Sequence, residues 1–351
     1  MPPPPPLKDV LQALQECVLP GAGGAALVMG LFLLFGRWAA AVGSAVAVIV
    51  AFAWGNLTLA SVGADPPSWE NTARLLHWKP GGDAPGYQWL PRAALVLVVV
   101  GLASRWLGMA AARVLPERMW WGEDLLVWLP RVGAVAAVSA WLVLGKAAEA
   151  LQWASLRWEL AAAMLAVWIV LDGLARTDIS AEVSAYLAAA LYAAGAVLLY
   201  SHNAKFMELA VLVGSAMFGI AVATALARRP REEPAPHFNP NPDLYDARKS
   251  DEPADVAAKA SGAVPAAAVF LVGLVLGTRP SHPEHKVPEE CFWLVALAPL
   301  ALTPFLIPWV SRQNRWVLLS LRAALLLAPL AAALVLAGQH EKFPYEEEPQ
   351  W

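Results

Sequence analysis

The sequence predicts an all-α, polytopic integral membrane protein with about ten transmembrane helices in a single bundle. Three observations carry that expectation. First, 58% of the residues are apolar and only 15% are charged, with a mean hydropathy of +0.51, whereas a soluble domain is about half apolar and a quarter charged. Second, the apolar residues gather in runs long enough, at about 1.5 Å per helical residue, to cross roughly 30 Å of hydrocarbon. Third, none of the runs alternates apolar and polar residues like a barrel strand, so each segment must satisfy its own backbone groups as a helix.

The first run is Val18 to Phe35. Gly21, Gly23 and Gly24 have no strand before them and no lysine after them. They therefore read as local flexibility and not as a phosphate cradle. The second run spans Trp38 to Leu59, the third Arg92 to Ala110, and the fourth Asp124 to Leu144. The fifth, sixth and seventh run from Trp158 to Ala175, Glu182 to Tyr200 and Phe206 to Ala227. The eighth, Ala260 to Gly277, sets Gly273 and Gly277 four apart, a spacing that lets two helices approach closely within one bundle. The ninth, Phe292 to Val310, contains Pro299, Pro304 and Pro308, and the tenth is Trp316 to Ala337. Trp38, Trp106, Trp120, Trp121, Trp158, Trp293, Trp309 and Trp316 fall near run ends, where an amphipathic ring prefers the headgroup level. Trp141 and Trp168 suit core packing better.

The chain divides into a Pro-rich interfacial segment at 1–17, helices one to seven at 18–227 with an outer loop at 61–90, a mobile charged linker at 228–262, helices eight to ten at 263–338, and an acidic tail at 339–351. The linker is poor in apolar residues and cannot bury enough surface to fold alone. The outer loop carries Trp69, Trp78, Tyr87 and Trp89 among prolines and glycines, a composition suited to a membrane surface.

A net charge of −3 without a basic block leaves no electrostatic footprint for nucleic acid. Arginine exceeds lysine and alanine is abundant, the usage of a GC-rich bacterial genome. The N-terminus shows neither a basic n-region nor a small-residue cleavage site. The expected location is therefore the bacterial cytoplasmic (inner) membrane, with the lipid bilayer as the defined partner and protein partners unknown. Twelve lysines and arginines fall in the odd-numbered connections against ten in the even ones and the tails. This bias puts the odd side in the cytoplasm and both termini outside.

Ionisable residues inside runs are expensive in lipid and suggest function. Arg105, Arg131, Asp172 and Arg322 are such residues, and by alternation of the runs all four lie toward the odd side. They form the expected binding set, a polar vestibule in which arginines attract an anionic group and Asp172 orients one of them. The bland alternative is that each side chain snorkels separately to the headgroups. Asp172 is also four residues from Arg176, the spacing of an intrahelical ion pair.

Pro130, Pro299 and Pro304 are the candidate helix breaks, since an internal proline frees a carbonyl. In a five-plus-five inverted arrangement the fourth and ninth runs would be equivalent. No catalytic motif, metal site or cofactor site is expected. His282, Glu284, His285, Glu289, Glu290 and Cys291 do collect ligand-type residues, but Pro283 and Pro288 read as a solvated turn. Cys17 and Cys291 are expected as packed thiols.

Three functions fit these features. One is a transporter or permease with a cytoplasm-facing charged vestibule and a small-molecule substrate. The others are a non-catalytic scaffold or subunit of a membrane complex and, third, a membrane enzyme.

Overall fold

A computed structural model of the chain describes residues 17–35, 37–58, 90–114, 120–143, 155–175, 180–201, 203–227, 261–277, 287–307, 310 and 314–340. Nearly all of the outer loop, of the linker and of the acidic tail, most of the N-terminal segment and the residues 278–286 lie outside the described residues. So do Arg176, Pro308 and Trp309.

Among the described residues the structure is helical throughout, with no strand. The helices are α1 Leu19–Leu33, α2 Arg37–Thr58, α3 Leu90–Val114, α4 Trp120–Val143, α5 Leu156–Ala175, α6 Ser180–Tyr200, α7 Ala204–Leu226, α8 Ala263–Leu276, α9 Glu289–Leu297 and α10 Arg315–His340. Six segments are long and apolar enough to cross a membrane: Leu90–Gly108, Leu156–Ala175, Ala181–Tyr200, Phe206–Leu226, Glu289–Leu306 and Trp316–His340. The apolar stretches Leu19–Leu33, Ala39–Trp54, Leu125–Ala140 and Ala263–Leu276 are shorter.

The outward surfaces bear the mark of a lipid solvent. Leu27, Leu31, Leu129, Val317 and Leu327 are all more than half exposed, and Leu129 reaches 72%. Apolar surface on this scale is what a membrane-facing helix presents and what a soluble protein avoids. Trp106, Trp158 and Trp316 are likewise exposed, whereas Trp168 is buried, in keeping with the division between interfacial and core tryptophans. The thiols of Cys17 and Cys291 are buried.

α8 sits at the centre. Every residue from Ala263 to Leu276 is buried, and the helix touches α2, α3, α5, α6, α7 and α9. A helix that is apolar on every side has no face to offer water, so it is enclosed by its neighbours. Gly273 is thus buried among these helices. Small residues set the closest approaches. A Cβ on Gly262 would overlap the Ala41 carbonyl oxygen of α2, and one on Gly219 would overlap the Ala22 carbonyl oxygen of α1. With lipid outside there is little hydrophobic drive between helices, so close backbone contact of this kind supplies much of the association.

The ninth run breaks. α9 ends at Leu297 and the chain continues as a 3-10 segment, Ala298–Leu306, with Pro299 in its first turn and Pro304 inside it. Each proline lacks the N–H that would bond four residues back and its ring crowds that carbonyl, so an α-helix is disfavoured here and the chain takes the tighter 3-10 form. Pro130, by contrast, lies within α4, which continues through it as a helix. The fourth and ninth runs therefore differ in local conformation, because one proline bends a helix that its flanking turns still hold together.

Candidate functional site

Arg105 on α3, Arg131 on α4 and Asp172 on α5 come together near the start of α8. Their helices are neighbours, with α3 against α4, α4 against α5, and α8 against both α3 and α5. Asp172 bridges the two cations: its Oδ1 accepts from Arg105 Nη2, and its Oδ2 accepts from Arg131 Nη1 at 2.9 Å. The Arg105 Nη1 also donates to the hydroxyl of Ser261, two residues before α8.

Arg131 is enclosed. Its side chain has no exposure, and that of Asp172 has 1%. The Arg131 Nε donates to Ser104 Oγ at 2.8 Å, and Ser104 in turn donates to the Gly101 carbonyl at 3.0 Å. The guanidinium carbon lies 4.6 Å from the centroid of Trp128 and 5.1 Å from that of Trp168, and the two rings meet edge to face at 6.4 Å. A planar, weakly hydrated guanidinium can stack on aromatic faces and bind a carboxylate in the same pose, which an ammonium cannot do as well. Gly101 makes the arrangement possible, since Trp168 Cζ2 would lie 3.0 Å from a Cβ there.

Arg105 is the accessible member, with 19% of its side chain exposed. It stands at a cleft also lined by Val98, Leu102, Gly262 and Pro265. The cleft holds no water-sized void.

Arg322 stands apart. It is buried on α10, its guanidinium carbon lies 5.0 Å from the centroid of Phe305 in the 3-10 segment, and among the described residues no hydrogen bond or ion pair joins it to the other three. The connection between the two places is indirect. Leu306, beside Phe305, packs against Gly173, the neighbour of Asp172, where its Cδ2 would lie 2.7 Å from a Cβ.

Three of the four expected site residues thus meet, and the fourth does not join them. Ser104, Trp128, Trp168 and Ser261 complete the cluster without having been singled out for it. Trp128 is three residues before Arg131 and so shares its helix face, a signal the sequence did offer. Ser261 gave none, because its place depends on how distant helices pack. Among the described residues, no group of His, Cys, Asp and Glu could hold a metal ion.

The helices and this buried ion cluster define the class of the chain as a multi-pass membrane protein carrying internal charge. Compared with known protein families, curated proteins and solved structures, it matches none.

Proposed function

We propose that the chain is a permease of the bacterial cytoplasmic membrane that crosses the bilayer ten times. In this reading Arg105, Asp172 and Arg131 form its anion-binding cluster in a closed state. The observation that carries the reading is the convergence of these three ionised side chains, from three helices, on one nearly dry cluster. Buried ion pairs contribute little net stability, because apolar residues of similar volume would serve the fold as well. Charges retained among apolar helices therefore argue for a functional role.

The chemistry follows from the geometry. Asp172 stands in for a substrate carboxylate or phosphate by occupying Arg105. A solute anion reaching the cleft from the cytoplasmic side competes for the Arg105 guanidinium, while Arg131, held by two tryptophans and Ser104, keeps Asp172 in position. The 3-10 segment is the element suited to move, since it lacks regular helical bonding and leans on α5 beside Asp172.

The test is flux into proteoliposomes of small carboxylates and phosphate esters. Arg105→Gln should abolish uptake while the protein still inserts, and undiminished flux would refute the reading.

A second reading, a non-transporting scaffold or subunit, is favoured by the narrowness of the cleft and the complete burial of α8. It predicts no flux of any solute and copurification with a membrane complex.

A further inference from the structure

A second polar locus lies between α6, α10 and the 3-10 segment. Arg322 and Tyr186 are each more than nine-tenths buried, at 7% and 8% exposure. The Nε of Arg322 and the hydroxyl of Tyr186 are sealed from solvent, and neither finds a hydrogen-bond partner among the described residues. Their helices pack against each other, with Gly338 near the end of α10 beside the Tyr200 hydroxyl at the end of α6, and Glu182 stands four residues before Tyr186 on α6. No ion pair joins Arg322 to Glu182 within 4.0 Å.

An orphaned buried donor is destabilising, and more so when charged, so two of them on adjoining helices call for a ligand that accepts from both. Position identifies its kind. Arg322 is seven residues into α10 and Tyr186 six into α6, and the two helices enter from the same side of the bundle. At 1.5 Å per residue both lie roughly 10 Å from that end, within reach of a headgroup for a long side chain. The neighbouring Leu321 is 45% exposed on the outward face. Basic niches between transmembrane helices recognise anionic headgroups in this way.

We propose that Arg322 and Tyr186 form a phosphate-oxyanion site on the odd-numbered side, opening laterally between α6 and α10. The guanidinium supplies a charge-assisted bond, the phenol a second donor, and Phe305 holds the guanidinium from behind. The site is independent of whether the Arg105 cluster handles a solute.

The test uses the purified full chain in neutral detergent, titrated in separate arms with phosphatidylglycerol, inorganic phosphate and diacylglycerol, and followed by thermal unfolding. Phosphatidylglycerol should stabilise the wild type and diacylglycerol, which has the tails without the phosphate, should not. Saturable stabilisation by inorganic phosphate alone would assign the site to free phosphate, and its absence would assign it to a lipid headgroup. Arg322→Gln should weaken the effective arm about tenfold, the scale of one charge-assisted hydrogen bond. Tyr186→Phe should weaken it by a smaller factor and covers the case in which Arg322→Gln does not fold. Glu182→Gln should leave binding intact or tighten it by removing a competing carboxylate. Equal responses from the wild type, Arg322→Gln and Tyr186→Phe would overturn the proposal, as would failure of both phosphate probes to shift the wild type.

Discussion

Arg131 and Asp172 stand on different helices, 41 positions apart, and meet at 2.9 Å with side chains exposed by 0% and 1%. A contact so far removed from water follows the logic of buried pairs, in which breaking one partner is far worse than replacing both.

Asp172→Leu should therefore cost about 3–5 kcal/mol, because it leaves buried guanidinium groups without their carboxylate. Replacing Asp172 and Arg131 together by leucine should recover part of that loss, since only Arg105, the more exposed of the two cations, is then left without its carboxylate, and the non-additivity is the diagnostic quantity. A double-mutant cycle by thermal or denaturant unfolding in detergent checks it. Additive losses would show that the pair is not a unit.

Arg131→Lys should be far from conservative. Lysine keeps the charge but loses the fork shared between Asp172 and Ser104 and the stacking between Trp128 and Trp168, which lies 5.1 Å from the guanidinium carbon. A loss of about 1–3 kcal/mol is expected from the cation–π and charge-assisted terms together. Trp128→Leu should remove part of the same energy, and near-ultraviolet circular dichroism should report the altered indole environment in both variants.

Two glycine substitutions should have opposite signs. Gly262→Ala drives a methyl into the Ala41 carbonyl oxygen and pushes α8 from α2, dragging Ser261 away from Arg105. Folded yield should fall, at a cost of roughly 1–3 kcal/mol. Gly24→Ala meets nothing within 4 Å, and its helical backbone should gain about 0.4–1 kcal/mol from a less disordered unfolded chain. Unfolding midpoints of the two variants, measured side by side, check the contrast.

The prolines of the ninth run should control how regular that segment is. Replacing Pro299 and Pro304 by alanine restores two backbone donors and should convert much of Ala298–Leu306 to α-helix, lengthening α9. Hydrogen exchange in the segment should slow, and flux, if the permease reading holds, should fall. Unchanged exchange would mean that the 3-10 geometry is imposed by the packing against α5 and α10 instead.

How much of this was legible in the sequence depends on the range over which each feature is decided. Run length and apolarity are local, so Leu19–Leu33, Leu156–Ala175 and Ala204–Leu226 lie within a few residues of the stretches expected for them. The change of conformation at Pro299 was legible for the same reason. The continuity of α4 through Pro130 was not, because flanking turns decide whether one proline breaks a helix or only bends it. Counting runs gave Arg105, Arg131 and Asp172 one expected side and nothing more. Their convergence required the packing of three helices, and the separation of Arg322 required the rotation of α10 about its axis, which a string of apolar residues leaves open. The central place of α8 had one local sign, its lack of any polar face.

The account turns on α8 crossing the bilayer, since it is the hub of the bundle and one of the shorter apolar helices. After Cys17 and Cys291 are changed to serine, single cysteines at Ser250 and Ser281 would flank it. Intact cells or right-side-out vesicles are then exposed to a membrane-impermeant maleimide. The account predicts labelling at 281 at once and at 250 only after the membrane is permeabilised. Equal labelling of both positions before permeabilisation would contradict it.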